Sequence, residues 1–472
     1  MQKKQLLPKV SELWLHYIWK SGSLLNYDLF SVCRQPIKIL FVGWYNKSWG
    51  ADFKDARILI DQKEYFGDVE IHIDENDWFS HGHHNKQSYN RTILHVFLSK
   101  GAKRAFNEIQ TEIASLNLGE SYLDSFWREK KLPQNICLEE LPGACGILLR
   151  PEKYPALKNL IFQAAKSRMI KKSESFNSDL NSLHASPEEI LFISIFRSLG
   201  YNAFVDQFVL MAKIFPYGLL IGFFKDSLRQ SRTEILGRWL GFMDFFCKTP
   251  PDKINDELRR EWQAMRQLWQ SIKKTVPQLE FETHAPYRPY NNPLRRLSGF
   301  YYHLEKIEFH GLIKSWLKFL WDCGAIIDKK ENPKPLIIEL LDMMFPQPEW
   351  DPLCFLIKAE SKNKLNGKTR FIGKDRQLII LVNSVIPFFL AWSKKHGNQE
   401  LEKTLFSLFL LLPPEGKNKK TVFLEQRLFV SHPEFKIINN LGYYQGLIQL
   451  YDDCCRSFYE GCLNCSLLER LK

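Results

Sequence analysis

The rhythm of apolar and polar positions changes partway along the chain. In the first hundred residues, runs at 37–43, 56–61, 69–74 and 93–98 are short, β-branched or aromatic, and separated by polar turns, which predicts strands. The clearest is 68–74, where Val69, Ile71 and Ile73 share one face and Asp68, Glu70, His72 and Asp74 the other. Such a period of two puts one face on a core and the other toward solvent or a site. From about residue 150 the pattern turns helical. Ser186-Pro187-Glu188-Glu189 carries three helix-start signals: a Ser cap, a Pro in the first turn, and a Glu three residues after the cap. Gly200 is the expected end of that helix. Leu258, Trp262, Met265, Trp269 and Ile272 form an apolar stripe of core type on a helix that Pro277 terminates. The polar, Ser/Asn-rich stretch 171–187 reads as a linker, and 361–370 as a basic solvated loop. The expected class is α+β: a mixed, antiparallel β-rich head over 1–170, the linker 171–187, and a large, mainly helical body over 188–472.

Composition supports this division. A length of 472 residues asks for two or three domains, and 45% hydrophobic content belongs to a globular chain. The net charge is +12; residues 1–100 hold 13 Lys+Arg against 11 Asp+Glu, so +10 of it falls in 101–472. A basic body is compatible with a nucleic-acid partner, although many basic proteins bind none. Ten cysteines in this length do not make a disulfide scaffold, and the N-terminus lacks the apolar run of a secretion signal. A cytoplasmic protein with reduced thiols is the expectation. The most apolar stretches, 208–224 and 378–392, are interrupted by Lys213 and Pro216 and by Asn383, Ser384 and Pro387, so they read as buried core with no membrane partner.

Five of the twelve histidines (His72, His81, His83, His84 and His95) fall within one short window, together with Glu70 and Asp77 and with Asp52 and Asp55 shortly before it. Carboxylates suit Mg²⁺ and Mn²⁺, and imidazoles suit Zn²⁺, Fe²⁺ and Mn²⁺. Glu70 and His72, two apart on a strand, point the same way. His95 joins them if its strand is a neighbour, and the loop carrying His81 and His83 can fold over their face. The alternative is a polar strand face beside a solvated histidine loop.

Gly50-Ala-Asp52-Phe53, Gly67-x-Val69-Glu70-Ile71-His72, Asp77-Trp78-x-x-His81-Gly82-His83 and Ile93-Leu94-His95-Val96 resemble a bacterial family, domain-of-unknown-function family 2851. Further matches are Arg288-Pro289-x-Asn291-x-Pro293-x-x-Arg296, Asn383-x-Val385-x-Pro387, 445–450 and the thiols Cys455, Cys462 and Cys465. More distantly, residues 50–72 are similar to nucleases of the PD-(D/E)XK type. That resemblance implies Asp52 and Glu70 as ligands of Mg²⁺ or Mn²⁺ on adjacent strands, with His72 in place of the lysine that orients or activates water. Ala51 replaces the motif's proline. A neutral imidazole can accept a proton near pH 7, or bind the ion itself and shift the preference toward Mn²⁺.

In that setting Arg57, His81 and His83 are candidates for phosphate contact or a second metal, with a surface ion pair to Asp55 or Asp61 as an equal alternative for Arg57. Arg288, Asn291, Arg295 and Arg296, beside Tyr287 and Tyr290, could grip a nucleic-acid backbone or tie a helix entry to the body. Cys455, Cys462 and Cys465 are one thiol short of a closed zinc site; Cys454 could supply a fourth, and the spacing is not that of known nuclease iron–sulfur clusters. Reduced structural thiols are the expectation there. The leading function is a metal-dependent phosphodiesterase using Asp52, Glu70 and His72. The rivals are a non-catalytic nucleic-acid or protein-binding scaffold, and a transition-metal hydrolase built on His72, His83 and His95.

Overall fold

The computed structural model describes the chain apart from residues 1–10, 22–23, 25–26, 47–49, 120–144, 147–148, 182–185, 226–227, 248–255, 278–291, 308–309, 347–369, 417, 430–438, 457–464 and 472. The protein is α+β, with an N-terminal mixed sheet and a long series of helices. It divides into two compact units: residues 1–164 with 417–438 and 445–472, and residues 165–416 with 439–444.

The sheet contains β1 (Leu29–Phe30), β2 (Pro36–Phe41), β3 (Trp44–Tyr45), β4 (Phe53–Ile60), β5 (Lys63–Asp74), β6 (Thr92–Ser99) and β7 (Ala114–Asn117). Their order is β1-β2-β4-β5-β6-β7, with β3 also paired to β4. Pairing is antiparallel as far as β5 and parallel from β5 to β7. The four expected strands are present, and β1, β3 and β7 are additional. β4 and β5 join through Asp61 and Gln62, both with positive φ (50° and 64°). This is the two-residue turn whose twist matches a hairpin.

One face of the sheet carries Phe53, Ala56, Ile58, Val69, Ile71, Leu94, Val96 and Leu116. They pack with Leu15, Ile18 and Trp19 of helix α1 (Glu12–Lys20), and the Trp19 indole donates to the Val42 carbonyl at 2.8 Å. The opposite face of β5 is also buried, under residues 77–90. That excursion holds α2 (Asp77–Ser80) and two short 3₁₀ turns, pinned by fully buried Trp78, whose indole donates to the Phe106 carbonyl at 2.9 Å. The polar face therefore meets a covering layer and not open solvent.

In the second unit, Ser186 caps the Pro187–Ile214 helix as expected, its hydroxyl accepting from the Glu189 amide at 3.2 Å. Gly200 does not end this helix, because Phe204, Phe208, Met211 and Ala212 continue its buried stripe. The expected linker also differs. Residues 171–181 are the last turns of the Tyr154–Asn181 helix, where Phe176 and Leu180 are buried in the helical core. The stripe on Asp256–Ile272 buries Leu258, Trp262 and Met265 as expected. Lys374–Lys395 is long and apolar enough to cross a membrane by length and composition, but 78% of its apolar window is buried within the protein. It is a core helix, with a π-helical segment at Leu381–Val385 just before Pro387, which has no amide proton to continue the regular ladder.

Candidate metal centre

The site is built where β4, β5, α1 and the 77–90 excursion meet. Phe53 pairs with Val69, which sets Asp52 beside Glu70, and the strands then lock the two carboxylates together. The Asp52 amide donates to Glu70 Oε2 at 3.0 Å, and the Ile71 amide donates to Asp52 Oδ2 at 2.9 Å. A β-bulge follows at once: Asp55 has φ 58°, and the register shifts between Phe53 and Ala56. Buried Asp68 anchors the bulge by accepting from the Asp55 amide at 3.1 Å and the Lys54 ammonium at 2.8 Å. Bulges of this kind re-aim side chains beside sites. Gly67 is required where β5 approaches β6, since a Cβ there would lie 2.4 Å from the Arg91 carbonyl oxygen.

Three imidazoles join Glu70. His72 shares the buried face of β5, and His81 and His83 flank Gly82, whose left-handed φ of 69° turns the chain between them. His72 Nε2 lies 3.3 Å from His81 Nδ1 and 3.5 Å from Glu70 Oε1, and His83 Nε2 lies 3.1 Å from Glu70 Oε1. His72, His81 and His83 each offer a ligand atom within 4.8 Å of the others. The 3.1–3.5 Å separations are of the size of ligand edges around an ion: metal–nitrogen bonds of about 2.1 Å give edges of roughly 3.4 Å in a tetrahedron and roughly 3.0 Å in an octahedron. His83 is held edge-on to Trp78 and stacked on Tyr89 with ring centroids 3.9 Å apart, yet both its nitrogens are buried without a hydrogen bond. A polar ring so placed by aromatic neighbours is ready for a ligand.

His95 stands behind His72, on β6, opposite Glu70 in the register. Its Nε2 is 2.9 Å from His72 Nδ1, leaving His72 Nε2 to face the cluster. It is a positioning group for His72 and not one of the converging ligands. Such outer partners fix the ring and tautomer of a ligating histidine. Asp52 is joined on its other side by α1, with His16 Nε2 3.2 Å from Asp52 Oδ2 and 3.8 Å from Glu12 Oε1.

Without a cation the cluster is electrostatically costly. Burial and the Asp52 carboxylate push Glu70 up to about 9. Burial, with help from neighbouring imidazoles, holds His72 down to about 2, His83 to about 4 and His95 to about 3. His72, His83 and His95 are thus held neutral, the form in which an imidazole can bind a metal.

Of the other sequence candidates, Arg57 is paired with Glu64. It sits opposite Phe66, four residues along β5 from Glu70, which is about 13 Å by strand rise. This is the ion-pair role, with Glu64 as partner in place of Asp55 or Asp61; Asp55 pairs with Arg91. Arg296 is buried and donates to the Leu199 carbonyl, tying its helix to Pro187–Ile214, and Arg295 is buried and donates to the Arg370 carbonyl, tying the same helix to the segment before Lys374. Arg288, Asn291, Tyr287, Tyr290 and Cys462 lie outside the described residues. Cys465 and Cys454 are close neighbours, and Cys454 Sγ lies 3.5 Å from Ser466 Oγ. Among the described residues no three thiols converge with Cys455 on a ligand position. Glu12 and His16 were not foreseen; the available signal was a carboxylate and a histidine four residues apart on a helix whose face is otherwise Leu15, Ile18 and Trp19.

Residues 12–419 match a family described as protein of unknown function (DUF2851), and the chain belongs to that family. No curated protein and no solved structure matches it.

Proposed function

We propose that this member of the DUF2851 family is a divalent-metal hydrolase whose substrate is a nucleic-acid phosphodiester. The observation that carries the reading is the convergence of His72, His81 and His83, each with a ligand atom within 4.8 Å of the others, with Glu70 Oε1 3.5 Å from His72 Nε2 and 3.1 Å from His83 Nε2 and a second carboxylate on the adjacent strand. Three imidazoles and a carboxylate favour Mn²⁺, Zn²⁺ or Fe²⁺ over Mg²⁺. The ion supplies a water of lowered pKa and polarises the phosphoryl oxygen. Glu70, His72 and His83 are buried while His81 is exposed, so water and phosphate approach from the His81 side. One water proton passes to a protein group of the site. The remaining hydroxide oxygen bonds to phosphorus, the ester P–O bond breaks, and the departing alkoxide takes up a proton. The products are a phosphomonoester and an alcohol. The phosphodiester assignment draws on the distant nuclease resemblance at Asp52 and Glu70-x-His72 and on the basic net charge of the chain.

The test is cleavage of DNA and RNA by metal-free protein resupplied with Mn²⁺, Zn²⁺ or Mg²⁺. Cutting is expected with Mn²⁺ or Zn²⁺, and Asp52→Asn and Glu70→Gln should each remove it while leaving salt-sensitive binding intact. Binding without cutting in every metal would leave the scaffold reading. Because the three-imidazole cluster alone does not dictate phosphorus chemistry, metal-dependent cleavage of a carboxylic ester but of no phosphodiester would favour the broader transition-metal hydrolase.

A further inference from the structure

We infer that the centre is binuclear, with a second divalent cation held by Glu12, His16 and Asp52. This rests on the single-ion reading above and extends it to α1, which neither the strand motif nor the histidine loop includes. The three residues each offer a ligand atom within 4.8 Å of the others. His16 is the independent pointer to a ligand. It is only 7% exposed, and neither ring nitrogen makes a hydrogen bond, although Nε2 faces Asp52 Oδ2 at 3.2 Å. Its ring is set edge-on to Tyr45 and Phe53, with centroids 5.8 and 5.9 Å away, so aromatic packing fixes it toward the carboxylates. A buried imidazole kept only for packing could be replaced by an apolar ring without leaving two unpartnered nitrogens.

The two ligand groups are directly joined. The Asp52 amide donates to Glu70 Oε2, whose other oxygen faces His72 and His83. One mixed histidine and carboxylate set therefore lies on either side of the Asp52–Glu70 link. Cations held by the two sets would supply positive charge on both sides of the Asp52–Glu70 link, as the attacking and leaving oxygens of a hydrolysis require.

The experiment is equilibrium dialysis of full-length, chelator-stripped protein against Co²⁺, with bound metal measured per chain. Wild type should retain two equivalents, and Glu12→Gln and His16→Gln should each retain one. Glu70→Gln paired with His83→Ala should lose the other equivalent. Glu12 is partly exposed, so Glu12→Gln keeps the test valid if His16→Gln fails to fold. One equivalent in wild type would overturn the second ion and leave the single-ion reading standing. Two equivalents retained in a folded Glu12→Gln or His16→Gln protein would place the second ion elsewhere and overturn this assignment. None bound to wild type would overturn both readings.

Discussion

Replacing Glu70 with glutamine should make the metal-free protein more stable at neutral pH, the reverse of the usual effect of changing a buried, hydrogen-bonded residue. The folded structure holds this carboxyl protonated, its pKa pushed from the ordinary 4.5 to about 9 by burial and by Asp52. A carboxyl raised on folding binds its proton more tightly in the native state. Its contribution is therefore fully present below pH 4.5 and is lost as pH rises from there toward 9. Each pH unit in that window withdraws about 1.4 kcal/mol, so neutral pH has removed on the order of 3 kcal/mol. Glutamine keeps the shape and has no proton to lose. The assay is the unfolding midpoint of both proteins in excess chelator from pH 4.5 to 8.5. The midpoints should nearly coincide at the acid end and separate in favour of the variant as pH rises. His72, His83 and His95 act in the opposite direction, losing stability as pH falls below 6.5, but they are common to both proteins. Adding Mn²⁺ or Zn²⁺ should reverse the order at pH 7, since an ion at a thousandfold excess over its Kd stabilises the folded state by about 4.1 kcal/mol, more than the roughly 3 kcal/mol withdrawn there. A variant no more stable than wild type at pH 8, or a gap that does not change with pH, would refute this description of the cluster.

His95→Gln should weaken metal binding by about 10–100-fold without changing stoichiometry, read by competition with a chromophoric chelator, because it loosens the partner of His72 and no ligand. His72→Lys, which restores the residue of the nuclease motif, should abolish metal binding in the same assay, since an ammonium has no lone pair to offer; retained binding with activity moved toward Mg²⁺ would assign His72 the lysine role. Gly67→Ala should lower the thermal midpoint through its collision with the Arg91 carbonyl, by an amount corresponding to about 2 kcal/mol or more. Arg57→Ala should leave turnover within about twofold, as expected for a surface ion pair with Glu64.

Much of the head was legible because its chemistry follows local periodicity. The alternation through 68–74 placed Glu70 and His72 on one face, and the dense histidine window marked the loop that covers it. What the sequence could not carry were relations across long separations. The position of His95 behind His72 follows from the parallel register of β5 and β6, which no local pattern encodes. How α1 crosses the sheet is set by distant contacts, so no local pattern marks Glu12 and His16 as neighbours of Asp52. Arg296 kept two roles open for a related reason. An arginine among prolines and tyrosines resembles a phosphate grip, and only packing shows its guanidinium turned inward to the Leu199 carbonyl. The polar run at 171–181 likewise looked like a linker although Phe176 and Leu180, spaced four apart, keep it in the core.

The most direct test of the metal centre is the X-ray absorption spectrum of Zn²⁺-loaded protein compared with that of its His83→Ala variant. The expected result is a nitrogen and oxygen shell near 2.0–2.2 Å with the outer scattering of several imidazoles, and a smaller imidazole signal in the variant. A shell of oxygen atoms without imidazole scattering, or a spectrum unchanged by His83→Ala, would contradict it.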